Sequence, residues 1–413
     1  MSTPADVNRL VTTVDQYEQM VSMTEATFRV YLEAEAELEG ILISESEAAA
    51  AEFDFDRCEQ LLDQVATLNQ TFCDIADREL GRLGVAANQD FAAELRFLRE
   101  AAEGLILLVS GLRLANRAEE RRMASDLNSA ERLLNESMEY FAQLSDSDLP
   151  QNGIGELRGQ LAVASAALIA GLRESRSGQF HGAYQEFDAT RVRLDIILSD
   201  AEEEYEALDA AIAAQIAAQY EDLCRDLRTM RSGIVALQSL VELLREVQSG
   251  NYVEAVECGA EAERLYEEIL QAAIQSGTSR YARALHEAEL ALVRGWHALS
   301  RAELAIDREQ YSECRDFLRE ARAQWNEAFR IASRNSVRGI AGQPDLGNTE
   351  MLLQSTLRRC NREASFRKRI NEMQAENEKL RQTIVIAEGG HVVHGDQINQ
   401  SGEAAVGKVV YGA

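Results

Sequence analysis

Only three prolines, Pro4, Pro150 and Pro344, occur in 413 residues. Proline removes a backbone donor and breaks helix interiors, so its scarcity leaves long stretches free to be helical. Alanine, leucine, glutamate, glutamine and arginine dominate those stretches, and all are good helix formers. The expected fold class is all-α: an elongated array or a bundle of long antiparallel helical hairpins, then a C-terminal helix and a small β tail.

Two turn-rich segments punctuate the chain. Residues 145–153 run Ser-Asp-Ser-Asp-Leu-Pro-Gln-Asn-Gly, and residues 338–348 run Arg-Gly-Ile-Ala-Gly-Gln-Pro-Asp-Leu-Gly-Asn. They predict N-terminal hairpins over 1–146, further hairpins over 151–337, a linker at 338–348, a helix over 349–388 and a β-prone tail over 389–413.

The last helix carries its own signal. Phe366, Ile370, Met373, Asn377, Leu380 and Ile384 alternate at spacings of four and three. This is a heptad seam with Ile370, Asn377 and Ile384 at a and Phe366, Met373 and Leu380 at d. A single Asn among apolar a residues fixes register and favours a parallel dimer. Beyond it, glycines at 390, 395, 402, 407 and 412 divide the tail into short units bearing Val392, Val393, Ile398, Val406, Val409, Val410 and Tyr411. Those residues are too apolar for a solvated tail, and about 25 residues cannot make a core alone. Several chains held in register can. The expected partner is the chain itself, through parallel C-terminal association into a closed ring or an open filament.

A degenerate repeat runs through the body. Gly178-Gln179-Phe180-x-x-Ala183-x-x-x-Phe187, Gly250-Asn251-Tyr252-x-x-Ala255 and Gln310-Tyr311-x-x-Cys314 each set an aromatic at a helix start and a small residue three positions on. Phe55-x-x-Cys58 and Met123-x-x-Asp126-Leu127 are weaker copies. Phe180, Ala183, Phe187, Tyr252, Ala255, Tyr311 and Cys314 are the expected packing residues at helix crossings. The anchors recur every 57–72 residues, the length of one hairpin. One amphipathic hairpin leaves an apolar face uncovered until it stacks on a neighbour. These turns resemble the interhelix turn of tetratricopeptide repeats, with a longer period and without that family's closing proline. The resemblance implies a helical-hairpin array that binds other proteins. The tail is similar to the Gly-Asp-punctuated β-roll or solenoid tails of bacterial assembly and conflict proteins.

The formal net charge of −28 argues against general binding to nucleic acid or anionic membrane. One local stretch is basic, Arg358 to Arg369, and it resembles the DNA-reading helix of basic leucine zippers through Asn361, Ala364 and Arg369. Phe366 extends the apolar seam into that stretch, so pairing with acidic helices of the body is the competing role. The six cysteines, at 58, 73, 224, 258, 314 and 360, form no C-x-x-C pair and read as reduced thiols of a cytoplasmic protein. The N-terminal residues lack a signal-peptide pattern, and no apolar run approaches a membrane span.

No chemistry stands out. There is no phosphate-binding loop, no dinucleotide fingerprint and no nucleophile elbow. His181, His286 and His297 read as structural, and His391 and His394 lie on opposite faces of any strand. The acidic runs Glu202-Glu203-Glu204 and Glu33/Glu35/Glu37/Glu39 read as solvated helix faces. No catalytic residue, cofactor or metal is expected. The sequence points to a non-enzymatic scaffold that assembles itself. A sensor module binding a protein, peptide or small ligand is the alternative, and a dimeric DNA binder acting through 358–369 is a further one.

Overall fold

The computed structural model describes residues 4–20, 25–51, 54–83, 89–124, 126–149, 151–207, 213–275, 280–335, 337, 346–382, 384–385 and 392–393. Among these are twelve helices: α1 (Pro4–Glu18), α2 (Glu25–Ala51), α3 (Phe55–Leu83), α4 (Gln89–Met123), α5 (Leu127–Ser145), α6 (Asn152–Arg176), α7 (Phe180–Ala207), α8 (Ala213–Ser249), α9 (Tyr252–Gln275), α10 (Arg280–Asp307), α11 (Tyr311–Asn335) and α12 (Leu346–Gln382). A two-residue antiparallel pairing, β1 (Ile384–Val385) with β2 (Val392–Val393), follows α12. The protein is an all-α array.

Each helix packs on the next in sequence, and α4, α6, α8, α10 and α12 also touch in series. Neighbour-to-neighbour packing of this kind is what stacked hairpins produce. The buried apolar residues fall into two clusters that meet along α8, with Ile234 and Val241 in the first and Leu240 and Leu243 in the second. Phe180 packs against both.

Five turns share one geometry. The amide of Asp54 donates to the Ala49 carbonyl, Asp126 to Arg121, Gln179 to Glu174, Asn251 to Glu246 and Gln310 to Ala305, over 2.7–3.0 Å. Each of these five residues then accepts, through its own carbonyl, the first amide bond of the following helix, from Cys58, Ala130, Ala183, Ala255 and Cys314. Those five donors are small and almost fully buried. The last carbonyls of one helix and the first amides of the next are therefore satisfied within a single tight turn. The hairpins are α2–α3, α4–α5, α6–α7, α8–α9 and α10–α11.

This corrects the sequence register at one place. Met123 closes α4 and does not open a helix; the equivalent first residue is Leu127, after the Asp126 cap whose carboxylate accepts from the Ser129 amide. The physical signal was the Asx cap rather than an aromatic. In two turns the chain turns back through glycine, Gly178 at φ 78° and Gly250 at φ 80°. The third equivalent turn places Glu309 at φ 61°.

The helices of a hairpin approach closely where glycine on one meets an aromatic on the other. A Cβ at Gly111 would lie 2.4 Å from the Phe141 ring, one at Gly171 2.5 Å from Phe187, and one at Gly295 2.4 Å from Trp325. Trp325 in turn meets Trp296 edge to face at 5.2 Å. Of the expected packing residues, Ala183, Phe187, Ala255 and Cys314 are fully buried. Phe180, Tyr252 and Tyr311 are only half-buried, because the first position of each helix lies at the rim of the crossing.

The acidic stretch on α2 is a second correction. Glu33 and Glu37 face solvent, but Glu35 and Glu39 are buried where α1 and α3 cover α2. Glu39 accepts from the Asn69 side chain at 2.8 Å, while Glu35 Oε1 and the Tyr31 hydroxyl have no hydrogen-bond partner. Burial, then the nearby Glu39 and Glu18 charges, push the Glu35 carboxyl up to about 8.

Candidate interaction surface

α12 has two halves with different surroundings. In the first, Thr349, Leu353, Thr356 and Cys360 are buried, and the helix packs on α10 and α11. In the second, Phe366 is 52% exposed, Ile370 39% and Met373 56%. At about 100° per residue, the two stripes are centred roughly 100° apart around the helix. The distal seam is not the continuation of the docked face, so the body does not cover it. The stretch from Cys360 to Gln382 reaches about 33 Å at 1.5 Å per residue.

One arginine of the docked half has several partners on the body. Arg359 bonds Glu303 at 2.7 Å and Asp307 at 2.8 Å, and its guanidinium lies 5.9 Å from the Tyr252 ring centre. Burial alone would lower its pKa, but Glu303, Tyr252 and Asp307 reverse that and raise it. Thr356 donates to the other oxygen of Glu303 at 2.5 Å. Arg322 pairs with Glu350 at 2.7 Å, and Arg367 with Glu309 at 2.8 Å. Two arginines of the basic stretch, Arg359 and Arg367, are thus paired with acidic groups of the body. Tyr252, expected as a crossing residue, serves this dock instead.

Those contacts bear on the resemblance to a DNA-reading helix. The Asn361 side-chain oxygen Oδ1 accepts from Arg315, Cys360 is buried and Arg359 faces α10. A duplex would have to displace the body from that face and approach its carboxylates.

The remaining seam residues divide. Asn377 and Leu380 belong to α12, of which the helical backbone is described at those positions. Ile384 was expected on the helix, but α12 ends at Gln382 and Ile384 pairs with Val393 as Val385 does with Val392. β-branched Ile384, Val385, Val392 and Val393 favour extended pairing over helix there. Ile398, Val406, Val409 and Val410 lie outside the described residues, as do His391 and His394.

His297 contacts Glu263, which also accepts from Arg294, and His286 contacts Glu289. Burial raises the Glu263 carboxyl, but bonds from His297 and Arg294 outweigh it and leave it lowered. Among the described residues no three His, Cys, Asp or Glu side chains converge as a metal site would require, and no helix is long and apolar enough to cross a membrane. All six cysteines are free thiols.

No known protein family, curated protein or solved structure matches this chain.

Proposed function

We propose that this protein is a non-enzymatic scaffold of the cytoplasm that assembles with copies of itself through the distal half of α12. Its helical hairpins, related in design to tetratricopeptide arrays, would carry contacts to other proteins. One observation carries the reading: Phe366, Ile370 and Met373, at heptad spacing on a helix leaving the body, are all substantially exposed. A second α12 is the occupant that matches a heptad stripe with Asn at a, because knobs of one copy fit the holes of the other.

Charge favours the parallel arrangement. With Ile370 at a, Glu376 falls at g and Arg381 at e. In a parallel pair, g of one helix meets the following e of the other, so Glu376 faces Arg381 of its mate. The same rule sets Arg362 against Arg367, yet Arg367 is already engaged by Glu309.

Magnitude sets what else must take part. Fully burying a side chain of this size contributes about 1.5–3 kcal/mol, and these three are already partly covered. Association costs about 4–15 kcal/mol of rigid-body freedom. The three residues therefore give weak pairing, and Leu380 with the valines of the tail would supply the remainder. Sedimentation of the full chain beside a chain ending at Gly347 tests this. The full chain is expected to sediment as an oligomer and the short one as a monomer. Equal, monomeric behaviour of both would refute the proposal.

A further inference from the structure

Cys314 on α11 and Cys360 on α12 are both fully buried and face each other across the dock. The Cys360 thiol donates to the Tyr311 carbonyl at 3.6 Å. Tyr311 precedes Cys314 by three residues, and in a helix that carbonyl lies under the side chain of the third residue on. The Cys360 thiol therefore sits against the part of α11 that carries Cys314. None of the other four cysteines has a cysteine among the groups acting on it.

We propose that Cys314 and Cys360 form a redox latch: a peroxide converts the pair to a disulfide that fixes α12 to the body. The inference rests on the assembly reading above, since it concerns how firmly the assembling helix is anchored. The chemistry balances. A thiolate attacks the peroxide O–O bond, giving a sulfenic acid and releasing an alcohol or water. The second thiol attacks that sulfur, forming the S–S bond and releasing water. Both thiols lose their protons, two electrons pass to the peroxide, and no other oxidant is needed.

The location sets when this happens. Burial and the neighbouring Cys360 push the Cys314 thiol up, so it is a poor nucleophile while α12 is docked. Transient lifting of α12 exposes the pair to peroxide, and redocking brings the second thiol onto the oxidised sulfur. The two sulfurs must then approach to about 2 Å, the disulfide length. The latch then records that opening took place under oxidising conditions.

The test treats the full chain with hydrogen peroxide, blocks the remaining thiols and maps the peptides by mass. One linked pair joining positions 314 and 360 is expected, with loss of two of the six thiols and retention of the other four. Arg359→Ala loosens the dock and is expected to speed the linkage several-fold. No link, a link through another cysteine, or over-oxidation of single thiols would overturn the proposal; an unchanged rate in Arg359→Ala would overturn the opening step. Cys314→Ser is expected to abolish the link, and if that variant does not fold the map of the native chain still decides. The link lies within one chain and is read whether or not the protein assembles, so failure of the latch and failure of the assembly reading are told apart.

Discussion

Glu309 sits at φ 61° in the α10–α11 turn, and its carboxylate meets Arg367 of α12 at 2.8 Å. Gly178 and Gly250 occupy the equivalent position in two earlier turns. A left-handed non-glycine residue costs about 1–2 kcal/mol, and this one exchanges that strain for a side chain that reaches α12. The pair is half exposed, so it contributes only about 0.2–1 kcal/mol. Glu309→Gly is therefore expected to hold or raise the thermal midpoint of the body while freeing Arg367. A drop corresponding to more than about 2 kcal/mol would mean that Glu309 carries a packing role not accounted for by this pair.

The two glycine turns give the converse. A Cβ at Gly178 or Gly250 would meet nothing within 4 Å, so alanine there suffers from backbone strain alone. Each substitution is expected to lower stability by about 1 kcal/mol, read from the denaturant midpoint. An increase in stability would contradict the left-handed turn.

Crossing residues and rim residues should separate cleanly. Phe187→Ala removes a fully buried ring set against Gly171 and is expected to cost about 3–5 kcal/mol. Tyr252→Ala removes a half-buried ring under Arg359 and is expected to cost clearly less, with loosening confined to α12. Equal losses, seen in chemical denaturation, would mean that Tyr252 belongs to the crossing after all.

Glu35 makes the N-terminal helices sensitive to alkali. Its folded pKa of about 8 lies above the ordinary 4.5. The folded state keeps a proton that the unfolded chain releases, so stability is fully present below about 4.5 and falls as pH rises through about 8. Glu35→Gln is expected to flatten that decline and to exceed the native protein in stability by a few kcal/mol near pH 9. Parallel pH profiles of the two melting temperatures would contradict this.

Much of this architecture is readable before any coordinates. Scarce proline and helix-forming composition point to an all-α chain, and the aromatic-x-x-small pattern finds four of the five equivalent turns, at Phe55, Phe180, Tyr252 and Tyr311. The Asp126 turn is harder, because Leu127 stands where the other four turns carry an aromatic and the capping carboxylate is the remaining signal. Misplacing the copy at Met123 follows from weighting side-chain size over the cap. Burial of Glu35 and Glu39 is invisible to periodicity: which face of α2 is covered depends on α1 and α3 arriving from either side. The split of α12 is equally non-local. Heptad spacing marks Phe366, Ile370 and Met373, but only the positions of Glu303, Asp307 and Glu309 show that the helix is anchored up to Arg359 and Arg367 and exposed beyond.

Self-assembly through the exposed seam is tested most directly by light scattering of the full chain against Ile370→Asp combined with Met373→Asp. Both side chains face solvent in the single chain, so the variant's helical body should be intact by circular dichroism. Paired with a second copy, the four carboxylates would be buried without partners, at a cost of several kcal/mol. The expected result is a native mass that is a multiple of 45.9 kDa and a variant mass equal to it. A native chain that stays at 45.9 kDa at every concentration, or a variant that assembles as the native chain does, would contradict the seam as the assembly surface.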